Sequence, residues 1–169
     1  MNIRKALKTT TIIGALAFAP MAATARAALV PSNSREASRL LKDMRQDALQ
    51  VGDRASLLRN FAVSPEVYRD SHAIELRRIR ADVNDMGRRL NQLQAMQGTV
   101  APWQQRAIQQ AAPLVQFMAD NTTDAIKYMN AHQGGFWAAS YRQDVHRLDK
   151  EAHTLAKDIH IDKRSASLE

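Results

Sequence analysis

Apolar side chains recur in alternating steps of four and three along nearly all of the chain beyond residue 34. From about Ser34 to Ala62 they fall at Ala37, Leu41, Met44, Ala48, Val51, Ala55, Leu58 and Ala62. From about Pro65 to Gln97 they fall at Leu76, Ile79, Val83, Met86, Leu90 and Leu93, with His72 one step upstream. From about Pro102 to His132 the stripe reads Ala107, Ala111, Leu114, Met118, Asn121, Ala125, Tyr128 and His132, widened by Ile108, Val115, Ile126 and Met129. From about Phe136 to His160 it returns at Trp137, Tyr141, Val145, Leu148, Ala152, Leu155 and Ile159. This spacing puts one narrow greasy seam on each of four helices. Ser64-Pro65-Glu66, Gly98 to Pro102 and Gly134-Gly135 separate them, supplying caps, a helix-starting proline and breaks. The phase of the first stripe runs through Gly52 unbroken, so a single helix carries that glycine.

Seams repeating every seven residues on four consecutive helices, joined by short connections, predict an all-α fold, an antiparallel up-down-up-down four-helix bundle with coiled-coil-like packing. A long two-helix hairpin that pairs between chains is the rival arrangement. Pro113 falls inside the third helix, where it deprives the Gln109 carbonyl of its helical partner and predicts a kink. Asn121, on an inward step, either fixes register or turns to water.

Residues 1–27 differ from all that follows. Arg4, Lys5 and Lys8 precede the apolar run Ile12 to Ala19, and small residues crowd Ala22, Ala23, Ala25 and Ala27. The order is that of a secretory signal peptide, cut after Ala27 or, alternatively, Ala25. The bundle domain would then be 28–169, exported to the periplasm or exterior, with no stable membrane insertion after cleavage. Removing Met1 to Ala27 takes four basic residues (Arg4, Lys5, Lys8, Arg26) and no acidic one, so the net charge falls from +7 to +3. That is too little for a nucleic-acid footprint. The chain has no cysteine, which excludes a disulfide framework and a lipid anchor through a modified cysteine.

Motifs that carry chemistry are missing. There is no H-E-x-x-H helix, no phosphate-cradling glycine loop and no G-x-S-x-G elbow, and Glu36, Glu66, Glu75 and Glu151 lack the His three places on that a di-iron bundle uses. The expectation is a non-enzymatic protein without a cofactor. It would contact another protein through its helix faces, a second copy of the chain being one such partner. Gln104, Gln105, Gln109, Gln110 and Gln116 make the third helix rich in amides and supply a candidate face.

The up-down winding collects aromatics at one end of the bundle. Tyr68, His72, Tyr128, Met129, His132, Trp137 and Tyr141 converge there as a candidate ligand-binding group, either a small-molecule pocket or a haem clasp through His and Met. The plainer reading is aromatic side chains filling the wider end of a bundle. His146, His153 and His160 repeat every seven residues beside the seam, on the wet flank and too far apart for one metal ion. Asp82 with Asp85, Asp43 with Asp47, and Asp120 with Asp124 are acid pairs at helical spacing off the stripes; Arg78, Arg80, Arg88 and Arg89 surround the first pair, which reads as forming ordinary surface salt bridges.

Pro102-Trp103-Gln104-Gln105, Asp120-Asn121-Thr122-Thr123-Asp124-Ala125-Ile126 and Asn130-Ala131-His132-Gln133-Gly134-Gly135-Phe136-Trp137 give the mature chain a further character. On these residues it resembles exported bacterial helical-bundle proteins with no assigned function. The resemblance implies export and helicity, and transfers no functional residue.

Overall fold

Each of the four stripes becomes one helix. The computed structural model describes residues 22–62, 69–132 and 138–165. Helix α1 spans Ala22–Phe61, α2 Arg69–Met96, α3 Pro102–Ala131 and α4 Ala139–Ser165, with a short 3-10 turn at Gln97–Thr99 between α2 and α3. No strand occurs among the described residues. Helix α1 begins well before Ser34. It continues back past the expected cleavage points, because the alanine-rich stretch that precedes the seam is itself a good helix former.

Helix α1 packs on α2 and α4, and α3 packs on the same two, so the chain closes a four-membered ring in sequence order. Polar contacts fix the directions. On α1, Asp47 meets Arg89 of α2 and Arg54 meets Asp82. Seven residues forward along α1 thus correspond to seven backward along α2. Helix α4 also runs opposite to α1, since Arg45 reaches the Ala156 carbonyl and Arg59, further along α1, reaches the earlier residue Asp149. All four neighbouring pairs are antiparallel, with Asn121–Glu151 joining α3 to α4 and Arg69–Met129 joining α2 to α3.

The core follows the stripes of α1, α2 and α4 residue for residue among the described positions, from Ala37 to Ala62, Leu76 to Leu93 and Tyr141 to Ile159. On α3 the seam is shifted. One expected row holds, with Ala111, Met118 and Ala125 buried, and Gln104 extends it one heptad upstream. The second row is Ile108, Val115 and Met129, which were expected to widen the stripe, joined by Thr122, while Leu114 and Tyr128 are half-buried and His132 is exposed. Thr122 is tolerated because its hydroxyl donates to the Met118 carbonyl at 2.6 Å, so no polar group is left unpaired in the core. Asn121 stays inside. Its amide donates to the Phe117 carbonyl at 2.8 Å and to Glu151 at 3.0 Å, which makes it the register device between α3 and α4.

Pro113 leaves α3 continuous. Both Pro113 and Gln109 lie on the exposed side, where water can take the orphaned carbonyl. Gly52 has a different explanation. A Cβ placed on it would come within 2.5 Å of the His153 ring, so the glycine lets this α4 side chain lie against α1.

The start of α3 is pinned by Gln104, which is 1% exposed. Its carbonyl oxygen accepts from the Ala101 backbone N–H at 2.9 Å, one half of a capping box, and its amide donates to the Ser34 carbonyl at 2.6 Å and the Ser38 hydroxyl at 2.9 Å. It is therefore a brace between α3 and α1, not part of an amide contact face. Replacing it removes three hydrogen bonds and leaves buried partners unpaired. Gln104→Ala should cost about 2–3 kcal/mol in urea denaturation. Gln109→Ala, on the exposed side of the same helix, should stay within about 0.5 kcal/mol.

Candidate functional site

The ends of α1 and α3 and the starts of α2 and α4 meet at one end of the bundle. His72 sits in the first turn of α2 and Tyr141 in the first turn of α4, and both point inward: His72 is 1% exposed and Tyr141 is fully buried. The His72 Nδ1 and the Tyr141 hydroxyl are 2.8 Å apart. Burial holds the Tyr141 phenol well above the ordinary tyrosine range, so its proton stays on. When that phenol donates, Nδ1 accepts and the ring proton sits on Nε2.

Phe61 meets the His72 ring edge-on at 5.6 Å between centroids, and Tyr128 leans on Tyr141 at 5.8 Å. Met129 closes the α3 side and is buried. These contacts assemble His72, Tyr128, Met129 and Tyr141 of the expected group. Tyr68 and Trp137 lie outside the described residues. His132 does not join the inward set. It is exposed, stacks on Tyr128 at 4.1 Å, and its Nδ1 and backbone N–H both lie 3.0 Å from the Tyr128 carbonyl, finishing the C-terminus of α3. The distance from the inward step to the helix end decides this, because the α3 seam runs through Met129, not Tyr128.

The two histidines are thus one in the core and one on the rim, and do not face a shared centre. Among the described residues no three His, Asp or Glu side chains gather closely enough to hold a metal ion. His146, His153 and His160 are exposed, as their flank position requires.

A second grouping was not visible in the sequence. Asp149 of α4 accepts from Ser56 at 3.1 Å and Arg59 at 2.6 Å, and its Oδ1 lies 3.1 Å from His153 Nδ1. These are the residue types of a hydrolytic triad in the wrong order. The carboxylate stands in the middle, so the imidazole is not hydrogen-bonded to the serine it would have to activate.

Of the acid pairs, Asp82 and Asp47 find arginines on the facing helix, Asp85 finds one on its own, Asp124 pairs with Lys127, and Asp120 accepts from Gln116. Arg54 bridges Glu75 at 3.3 Å and Asp82 at 3.2 Å, Arg89 holds Asp47, and Arg88 and Arg78 pair within α2 with Asp85 and Glu75. Glu75 is buried in the process, so the α2 seam carries a carboxylate that its apolar spacing did not announce. Burial pushes the Asp47 carboxyl up to about 6; Arg89 opposes this, and Asp82, Asp85 and Asp43 add to it. The hollow along this seam near Arg54 and Leu57 is lined by both signs of charge.

A third feature is the trough between α2 and α3, roughly 510 Å³ in volume. Val83, Leu90 and Val115 form its floor, and the small residues Gly87, Ala112 and Ala119 keep it open. Compared with protein-family models, with curated proteins and with solved structures, the chain has no significant match, so its chemistry rests on these residues alone.

Two buried groups give opposite pH dependences. Burial lowers the His72 pKa, so its stabilisation is complete above the unfolded value near 6.5 and is lost as pH falls below it. Asp47 is raised, so its contribution is complete below about 3.8 and is lost as pH rises through about 6. On acidification from pH 7 to 5, His72→Gln should therefore lose less thermal stability than the wild type. Asp47→Asn should lose more, each by roughly 2–6 °C in Tm.

Proposed function

We propose that the chain is an exported, non-enzymatic binding protein that holds a helix of another protein in the trough between α2 and α3. The N-terminal order of basic, apolar and small residues supports export with Met1 to Ala27 as the leader, to the periplasm or exterior. Among the described residues no helix is long and apolar enough to cross a membrane.

One observation carries the binding reading. Gly87 sits in the middle of α2, where glycine costs about 1 kcal/mol relative to alanine, and the protein's own packing does not require it. A Cβ built there meets nothing within 4 Å, and no positive backbone angle demands a glycine. Gly52, by contrast, is explained by His153. A glycine facing an open trough beside Ala112 and Ala119 is what close approach of a second helix backbone needs.

The adjoining surface has interface character. Between Arg106 and Asp120, α3 carries no charged residue, and it shows solvent Gln109, Gln110, Pro113, Gln116 and Phe117, the last 52% exposed. Charge depletion with an exposed aromatic is the compositional mark of contact surfaces. The occupant that fits is an uncharged helix with small residues on its contacting side.

Gly87→Ala separates this reading from a merely tolerated glycine. The variant should raise folding stability by about 0.5–1 kcal/mol and yet weaken partner capture. Capture is read with a photo-crosslinking residue at Asn84 or Gln116 in the native host, against the same residue at Gln46 on α1. Heavier adducts should appear from the trough positions only and fade with Gly87→Ala, and an adduct of twice the chain mass would identify the partner as a second copy. Equal labelling from Gln46, or adducts indifferent to Gly87→Ala, would overturn the proposal.

A further inference from the structure

A different recess lies at the opposite end of the bundle from the aromatic group, where the first turn of α3 crosses between α1 and α4. Its volume is roughly 180 Å³, below the range of about 300 Å³ and more that drug-sized ligands use. Leu41, Ile159 and Trp103 supply apolar walls; Lys42, Arg45 and His160 stand around them. Among the described residues no acidic side chain lines the recess.

Neither Lys42 nor Arg45 has a carboxylate partner among the described residues, although most other arginines near the α1–α2 seam do. Arg45 is held in place because its Nε donates to the Ala156 carbonyl at 3.2 Å. Ser38, also on the lining, accepts from Gln104 at 2.9 Å, which orients its hydroxyl and leaves its own proton to donate. A fixed guanidinium, an ammonium and a hydroxyl around an indole-walled cavity match an anion that also has something to bury.

We propose that this recess binds a small monocarboxylate with an apolar body, of the size of a single ring or a short acyl chain. The carboxylate meets Lys42 and Arg45 through charge-assisted hydrogen bonds, and the body lies against Trp103, Leu41 and Ile159. Apolar contact selects against inorganic anions, and the cations select against neutral molecules of the same shape.

Octanoate, octanol and inorganic phosphate are the probes, titrated into the purified protein by calorimetry while the Trp103 indole N–H is followed by NMR. Trp137→Phe assigns that signal. Octanoate should shift it, with octanol and phosphate each at least about fivefold weaker. Lys42→Gln, an exposed position that leaves the core intact, should weaken octanoate about fivefold, Lys42→Arg should retain binding, and Lys150→Gln elsewhere on the surface should change nothing. Octanol binding as well as octanoate, a silent Trp103 signal at millimolar octanoate, or equal losses in Lys42→Gln and Lys150→Gln would each overturn the proposal. Any of these results leaves the α2–α3 trough untouched, because the two sites share no residue.

Discussion

The bundle depends on burying four seams at once, and α1 sets the terms on which that is possible. Its inward side alternates a small row, Ala48, Ala55 and Ala62, with a large one, Met44, Val51 and Leu58, all essentially without solvent contact. Leu148 and Leu155 on α4 offer large residues in heptad sequence, so bulk on one helix is accommodated where the other recedes. Gly52 takes the same principle to its limit by admitting the His153 ring against the α1 backbone. A helix of only large residues could not approach α4 and α2 together; one of only small residues would leave voids on both sides.

Polar groups then choose one arrangement among those the seams allow. Seven-residue rows can slide past each other by a heptad with little change in apolar contact. The ion pairs Asp47–Arg89 and Arg54–Asp82 recur at one heptad spacing in opposite directions, and Asn121–Glu151 does the same work between α3 and α4. Gln104 fixes the remaining degree of freedom by tying the start of α3 to Ser34 and Ser38. These residues hold alignment, and the apolar rows supply most of the driving force.

The same division separates the surface from the core at the places where binding is proposed. At the aromatic end His72 and Tyr141 are buried and lie within hydrogen-bonding distance of each other. The trough beside Gly87 and the recess beside Trp103 are instead places where the chain's own atoms stop short. The complement proposed for the first is a helix backbone, and for the second a carboxylate.

Helix number, helix order and the buried rows of α1, α2 and α4 were determined by the sequence itself, because apolar spacing near 3.5 residues is a local property that survives without knowledge of the partner. On α3 the same reading placed Leu114 and Tyr128 on the seam, where they are only half-buried, and it named Val115 and Met129 but passed over Thr122, which is buried. A threonine bonded to its own helix counts as apolar once folded, but reads as a gap in the stripe. The start of α1 was misplaced for a related reason, since helix propensity continues upstream of the point where the seam ends. The convergence of His72, Tyr128 and Tyr141 followed from topology, whereas the outward turn of His132 did not. Burial of Glu75, the bracing role of Gln104 and the pairing of Asp47 with Arg89 and of Asp82 with Arg54 were decided only by tertiary structure. Each depends on which residue of a distant helix arrives opposite, and that alignment is set by packing the whole bundle and not by any spacing along one helix.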